Sequence, residues 1–133
     1  MSDTEHARLL LSIAEKDLRA LNAMGDAQVF ADEIFGFHAQ QTIEKALKSW
    51  LAVLHTEYPL THNLATLLAL LEQHGCDVER FQELVFYTPF AVVFRYGNSG
   101  MPLPALDRPT VCSQVQGLYD HVKAIIERSG TMG

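Results

Sequence analysis

A chain of 133 residues, 48% hydrophobic and 20% charged, has the composition of one globular domain with one core. No apolar run approaches the roughly 18 residues of a membrane span, and Asp3 and Glu5 stand where a secretory signal would be basic, so a soluble, cytoplasmic domain over residues 1–133 is expected. The net charge of −6, with ten Lys and Arg spread thinly, argues against general binding to RNA or DNA, which needs a basic surface that releases counterions.

A first helix is predicted from Asp3 or Thr4, with Ala7, Leu10, Leu11, Ala14, Leu18 and Leu21 recurring at helical spacing and Met24-Gly25-Asp26 ending it. Asp26 is expected to cap a second helix running to about Thr56, the longest clean helical pattern in the chain and the one holding the only tryptophan. Phe35, Ala39, Thr42, Ile43, Ala46, Leu47, Trp50, Val53 and Leu54 fall on its apolar face, with Gln41, Glu44, Lys45 and Lys48 opposite. Gly36 inside this helix costs about 1 kcal/mol against alanine, which predicts a close crossing or a kink. Pro59 forces an extended turn around Tyr58.

Thr61 is expected to cap a third helix that buries Leu64, Leu67, Leu68 and Leu71 and ends at His74-Gly75. Asp77 is expected to cap a fourth, with Val78, Phe81, Leu84 and Val85 inward, until Pro89 interrupts it. Residues 97–104, rich in Gly and Pro, read as the one substantial loop. Asp107 caps a last helix with Pro109 in its first turn, Val111, Val115, Leu118, Val122 and Ile125 inward, and a frayed end from Ser129. The resulting fold class is all-α, an up-and-down antiparallel bundle of about five helices in a single domain. Phe86, Tyr87, Phe90, Phe94 and Tyr119 look like more aromatics than such a monomer easily buries, which suggests an interface.

The chemistry concentrates in two places. His38, Gln41, Lys45 and Ser49 form a polar stripe along the second helix, and Glu44 stands four residues before Lys48 in the favourable order. Arg95 and Tyr96 follow a hydrophobic run at the mouth of the loop, where a guanidinium clamps phosphate and a tyrosine stacks on a base; the alternative is that Arg95 pairs with Glu44 and orders the loop. The six histidines have no i, i+3 or i+4 pair, so no metal site is expected, and no cofactor either. A phosphoryl-accepting histidine, His38 or His121, is a minor alternative. Gly97-Asn98-Ser99-Gly100 lacks the preceding strand of a phosphate loop. Cys76 and Cys112 read as half-buried thiols.

Phe37-His38-Ala39-Gln40-Gln41-Thr42-Ile43-Glu44-Lys45-Ala46-Leu47-Lys48, then Thr61-His62-Asn63-Leu64, then Thr88-Pro89-Phe90-Ala91-Val92 leading to Arg95-Tyr96, resemble the HEPN domain over nearly the whole chain. The resemblance implies a helical bundle, a homodimer, and pairing with a minimal nucleotidyltransferase, in a nucleotide-transfer or toxin–antitoxin arrangement. Ribonucleases of the family carry an arginine followed, after four to six residues, by a histidine. Arg95 is followed at those positions by Gly100, Met101 and Pro102, and no other arginine here has a histidine so placed. Gly97 also replaces a usual proline. The resemblance therefore implies a non-catalytic member, with Arg95, Tyr96, Gln41, Glu44, Lys45 and His38 as nucleotide-binding residues. The alternatives are a ribonuclease toxin with an atypical base such as His62 or His38, and a purely structural interaction bundle.

Overall fold

The computed structural model describes residues 2–91 and 105–132. The helices are α1 (Asp3–Ala23), α2 (Asp32–Val53), α3 (Leu64–Gln73), the 3-10 helix η1 (Glu79–Tyr87) and α4 (Arg108–Met132). The described residues contain no strand, and no helix among them is long and apolar enough to cross a membrane.

α2 is the centre of the bundle, touching α1, α3, η1 and α4. Its contacts fix the helix directions. Ser49 bonds to the Ala7 carbonyl and Lys45 to Asp17, so α1 and α2 run in opposite senses. Arg108 lies over Phe35 and His121 against Trp50, so α4 runs parallel to α2. The core joins Leu11, Leu18 and Leu21 of α1 to Phe35, Ile43 and Leu47 of α2, Leu64 and Leu68 of α3, and Val115 and Leu118 of α4.

α1 begins at Asp3, as predicted, while other predicted boundaries move. Ser2, whose hydroxyl accepts from the Glu5 amide at 3.1 Å, caps α1. α2 begins at Asp32 and not at Asp26, because Asp26 accepts from the Gln28 amide at 2.9 Å and closes only a single turn before the extended Ala31. Asn63, not Thr61, caps α3, accepting from the Ala65 and Thr66 amides. α4 stays helical to Met132 with no fraying at Ser129, and buries Ile126 more fully than Ile125.

The fourth predicted helix is a nine-residue 3-10 helix, long for its kind. Val78, Phe81, Leu84 and Tyr87 are all buried and recur at every third residue. A helix of three residues per turn lines such side chains up in one straight row, which an α-helix would spiral away from the core. The aromatic surplus is smaller than expected: Tyr87, Phe90 and Tyr119 are buried within the monomer, Phe86 is half exposed, and Phe94 lies outside the described residues.

Gly36 marks a close approach, not a kink. α2 runs through it unbroken, and a Cβ there would overlap the Phe90 ring. α2 and α3 end alike. The Thr56 amide bonds to Leu51 O at 3.0 Å and His55 to Ala52 O at 2.9 Å, as Cys76 bonds to Leu71 O and Gly75 to Glu72 O. The residue that must turn left-handed is Gly75 (φ 83°) in one case and His55 (φ 60°) in the other.

Arg108 fastens the α1–α2 connection to α4. Almost fully buried, it donates to the carbonyls of Met24 and Phe30 at 2.7 and 2.6 Å and to the Asp32 carboxylate at 2.8 Å, with its carbon centre 4.6 Å from the Phe35 ring centroid.

Candidate functional site

The first polar cluster centres on Glu44. The helical pattern places Glu44 on the wet face of α2, but α2 is packed on nearly every side and Glu44 is 5% exposed. Its carboxylate takes three contacts: the Gln40 amide at 2.9 Å, His62 Nδ1 at 2.7 Å and Lys48 Nζ at 2.9 Å. Gln40 also donates to the His62 carbonyl at 3.1 Å, and Gln41 donates to Gln40 at 2.7 Å. Burial pushes the Glu44 carboxyl up, but hydrogen bonds from Gln40, His62 and Lys48 and the Lys48 charge outweigh it, so the group ionises below the ordinary 4.5. The network ties α2 to the segment entering α3, where the His62 ring is still 43% exposed.

The second cluster lies on the α1 side. Asp17 accepts Lys45 Nζ at 2.9 Å and faces His38 Nδ1 at 3.1 Å. His38 and Lys45 are seven residues apart, two turns of α2, so both reach the same carboxylate. Both are one-quarter exposed, which leaves an ammonium group and an imidazole at a solvent-facing seam. Ser49, the last member of the predicted stripe, bonds to the Ala7 carbonyl at 2.7 Å and serves packing. The i, i+4 pair Gln41–Lys45 is not used: each has the partner just given.

The structure thus brings together Gln41 and Glu44 through Gln40, and His38 and Lys45 through Asp17. Arg95 and Tyr96, with Gly97 and the predicted loop, lie outside the described residues. Gln40 and Asp17 are the residues that sequence reasoning misses. A signal exists for both: Gln40 stands four before Glu44, and a lysine at the border of the apolar face calls for a carboxylate from the facing helix. His121, the other phosphoryl-acceptor candidate, lies 4.9 Å from Trp50 and 5.2 Å from Phe81, centroid to centroid. Among the described residues no three His, Cys, Asp or Glu side chains converge to hold a metal. Both cysteines are free and half-buried, and burial raises their thiol pKa values.

Gln40, Gln41, Glu44 and Lys48 on α2 and His62 before α3 therefore form one spatial unit, although they stand in two separate stretches of sequence. A model of the HEPN domain family matches residues 7–128. The chain belongs to the HEPN domain family. The match runs from the first buried residue of α1 to the last turns of α4, so the HEPN domain and the helical bundle coincide. No curated protein and no solved structure matches this HEPN chain.

Proposed function

We propose that this HEPN protein recognises a nucleotide without cutting RNA, and acts as a cytoplasmic homodimer that partners a minimal nucleotidyltransferase in a toxin–antitoxin type of pair. The observation that carries the proposal is the spacing of the sequence: no arginine is followed by a histidine at the distance the family's ribonucleases use. The acidic net charge supports it, since gripping a polyanion needs the opposite sign. In this reading Lys45 and His38 face the ligand from the Asp17 seam, while Glu44 and Gln41 act through Gln40 and His62. Arg95 contacts phosphate and Tyr96 stacks or packs. Half-exposed apolar side chains such as Leu9 and Phe86 support an interface between copies.

Calorimetric titration with ATP and GTP, of the protein alone and with a partner nucleotidyltransferase, tests this directly. Heat is expected in wild type, and loss of it in Lys45→Ala and Arg95→Ala at unchanged thermal stability. Absence of heat with every nucleotide would end the nucleotide reading, and digestion of total RNA by a clean preparation would replace it with a ribonuclease using His62 or His38.

A second reading has its own support: Glu44 is buried and its carboxylate is already engaged by Gln40, His62 and Lys48, an arrangement that fixes the register of α2 against the segment entering α3. Under it Lys45→Ala and Arg95→Ala change stability and leave partner binding unaltered.

A further inference from the structure

A second cationic place lies on the other side of α2, between η1 and α4. Among the described residues, Arg80 and Arg128 have no hydrogen bond and no carboxylate within ion-pair distance, although the chain carries sixteen Asp and Glu against ten Lys and Arg. Both are exposed, and both bear on the same imidazole, His121, which is half-buried against Trp50 and Phe81.

Helix geometry explains the convergence. Gly117, His121 and Arg128 follow at +4 and +7, on one stripe of α4. Arg80 reaches across from η1: its guanidinium carbon is 4.6 Å from the Phe81 ring centroid, and a Cβ on Gly117 would stand 3.6 Å from its Nη2. Arg80 thus approaches α4 one turn before His121, about 6 Å along the axis. Arg128 starts about 10 Å after it, but helical side chains lean towards the N-terminus and carry its guanidinium back.

Along α4 the imidazole thus stands between the Gly117 turn that Arg80 approaches and the turn that carries Arg128. Burial, then Arg80, then Arg128 lower its pKa, and no carboxylate bears on it. Glu83 lines the adjoining groove of about 310 Å³ together with Arg80, and its charge bears on Tyr87, which bonds to Gln114.

The geometry points to Arg80, His121 and Arg128 as an anion site for a phosphomonoester dianion, distinct from the α2 seam. Two planar guanidinium forks match the oxygens of a tetrahedral dianion, whereas one carboxylate would satisfy only one of them. The imidazole gives a third donor once protonated, and a bound dianion would favour that protonation. Ligand binding and His121 titration are therefore linked, each strengthening the other.

The test follows the His121 ring resonances by NMR, assigned by their loss in His121→Gln, as inorganic phosphate or AMP is added to the intact protein at constant ionic strength. Both probes are expected to raise the His121 midpoint, by about half a unit or more. Binding of inorganic phosphate as tight as that of AMP makes free phosphate the ligand; tighter AMP makes it a phosphorylated metabolite. Arg80→Gln and Arg128→Gln, at exposed positions that leave the core intact, should each weaken binding about tenfold, and the double variant should abolish it. Trp50, the only tryptophan, gives a second readout by fluorescence. An unmoved His121 midpoint, an equal shift with chloride, or an equal shift in the double variant would overturn the site.

Discussion

Two single residues carry more of the fold than their size suggests. Gly36 lets the Phe90 ring lie directly on the α2 backbone. Alanine there would gain about 1 kcal/mol of helix propensity, but the overlap with a fully buried ring must be relieved by moving the ring or the helix, at about 1–3 kcal/mol or more. Gly36→Ala is therefore expected to lower the urea midpoint, and Phe90→Leu should recover part of the loss when combined with it, as coupled neighbours do. His55 is the opposite case. It occupies a left-handed position that glycine fills at the end of α3, and its bond to Asp3 at 2.9 Å is between largely exposed side chains and weak. His55→Gly should stabilise the protein by about 1 kcal/mol, read as a rise in thermal midpoint. An unchanged or lowered midpoint would show that the Asp3 contact outweighs the backbone strain.

At the scale of elements, α2 was largely legible. Its apolar positions at helical spacing predict the buried face from Phe35 to Val53. Periodicity alone does not say how many neighbours a helix has, so it places Glu44 outward when α3 and the turn before it cover that side as well. η1 shows a different limit. Its every-third-residue pattern from Val78 to Tyr87 was in the sequence, but the shorter repeat reads as α-helical when only i+3 and i+4 matches are sought. Caps were misplaced because Asp26 and Thr61 can each satisfy a turn two residues on as readily as start a helix. The Asp17 seam and the Gln40 link belong to no single segment, so only the packed bundle reveals them.

The Glu44 cluster makes a prediction across elements. Its carboxyl ionises at lower pH in the folded than in the unfolded chain, so the stabilisation is complete above the unfolded carboxylate range and is lost as pH falls through the folded value. Glu44→Gln should cost about 2–3 kcal/mol at neutral pH by leaving the half-buried Lys48 without its counter-charge. It should also flatten the fall in stability below pH 4.5, measured as urea midpoints from pH 3 to 7.

For the whole molecule, no helix among the described residues is long and apolar enough to cross a membrane, and the family match places one domain over residues 7–128. What composition cannot express is how charge is distributed. An acidic chain still keeps basic side chains at two places: Lys45 beside His38 at the Asp17 seam, and Arg80 and Arg128 near His121.

The Arg108 clamp has a consequence for the order of assembly. The groups it holds, Met24, Phe30 and Asp32, lie 76 to 84 residues away along the chain, so the link between α1 and α2 gains its anchor only after the last helix has docked. Contacts closing so long a loop come late on the route to the native state. Arg108→Lys keeps the charge but loses the fork, and should speed unfolding while leaving the refolding arm of a stopped-flow chevron nearly unchanged. The two long N-terminal helices would then pair first, and the final helix would fasten behind them.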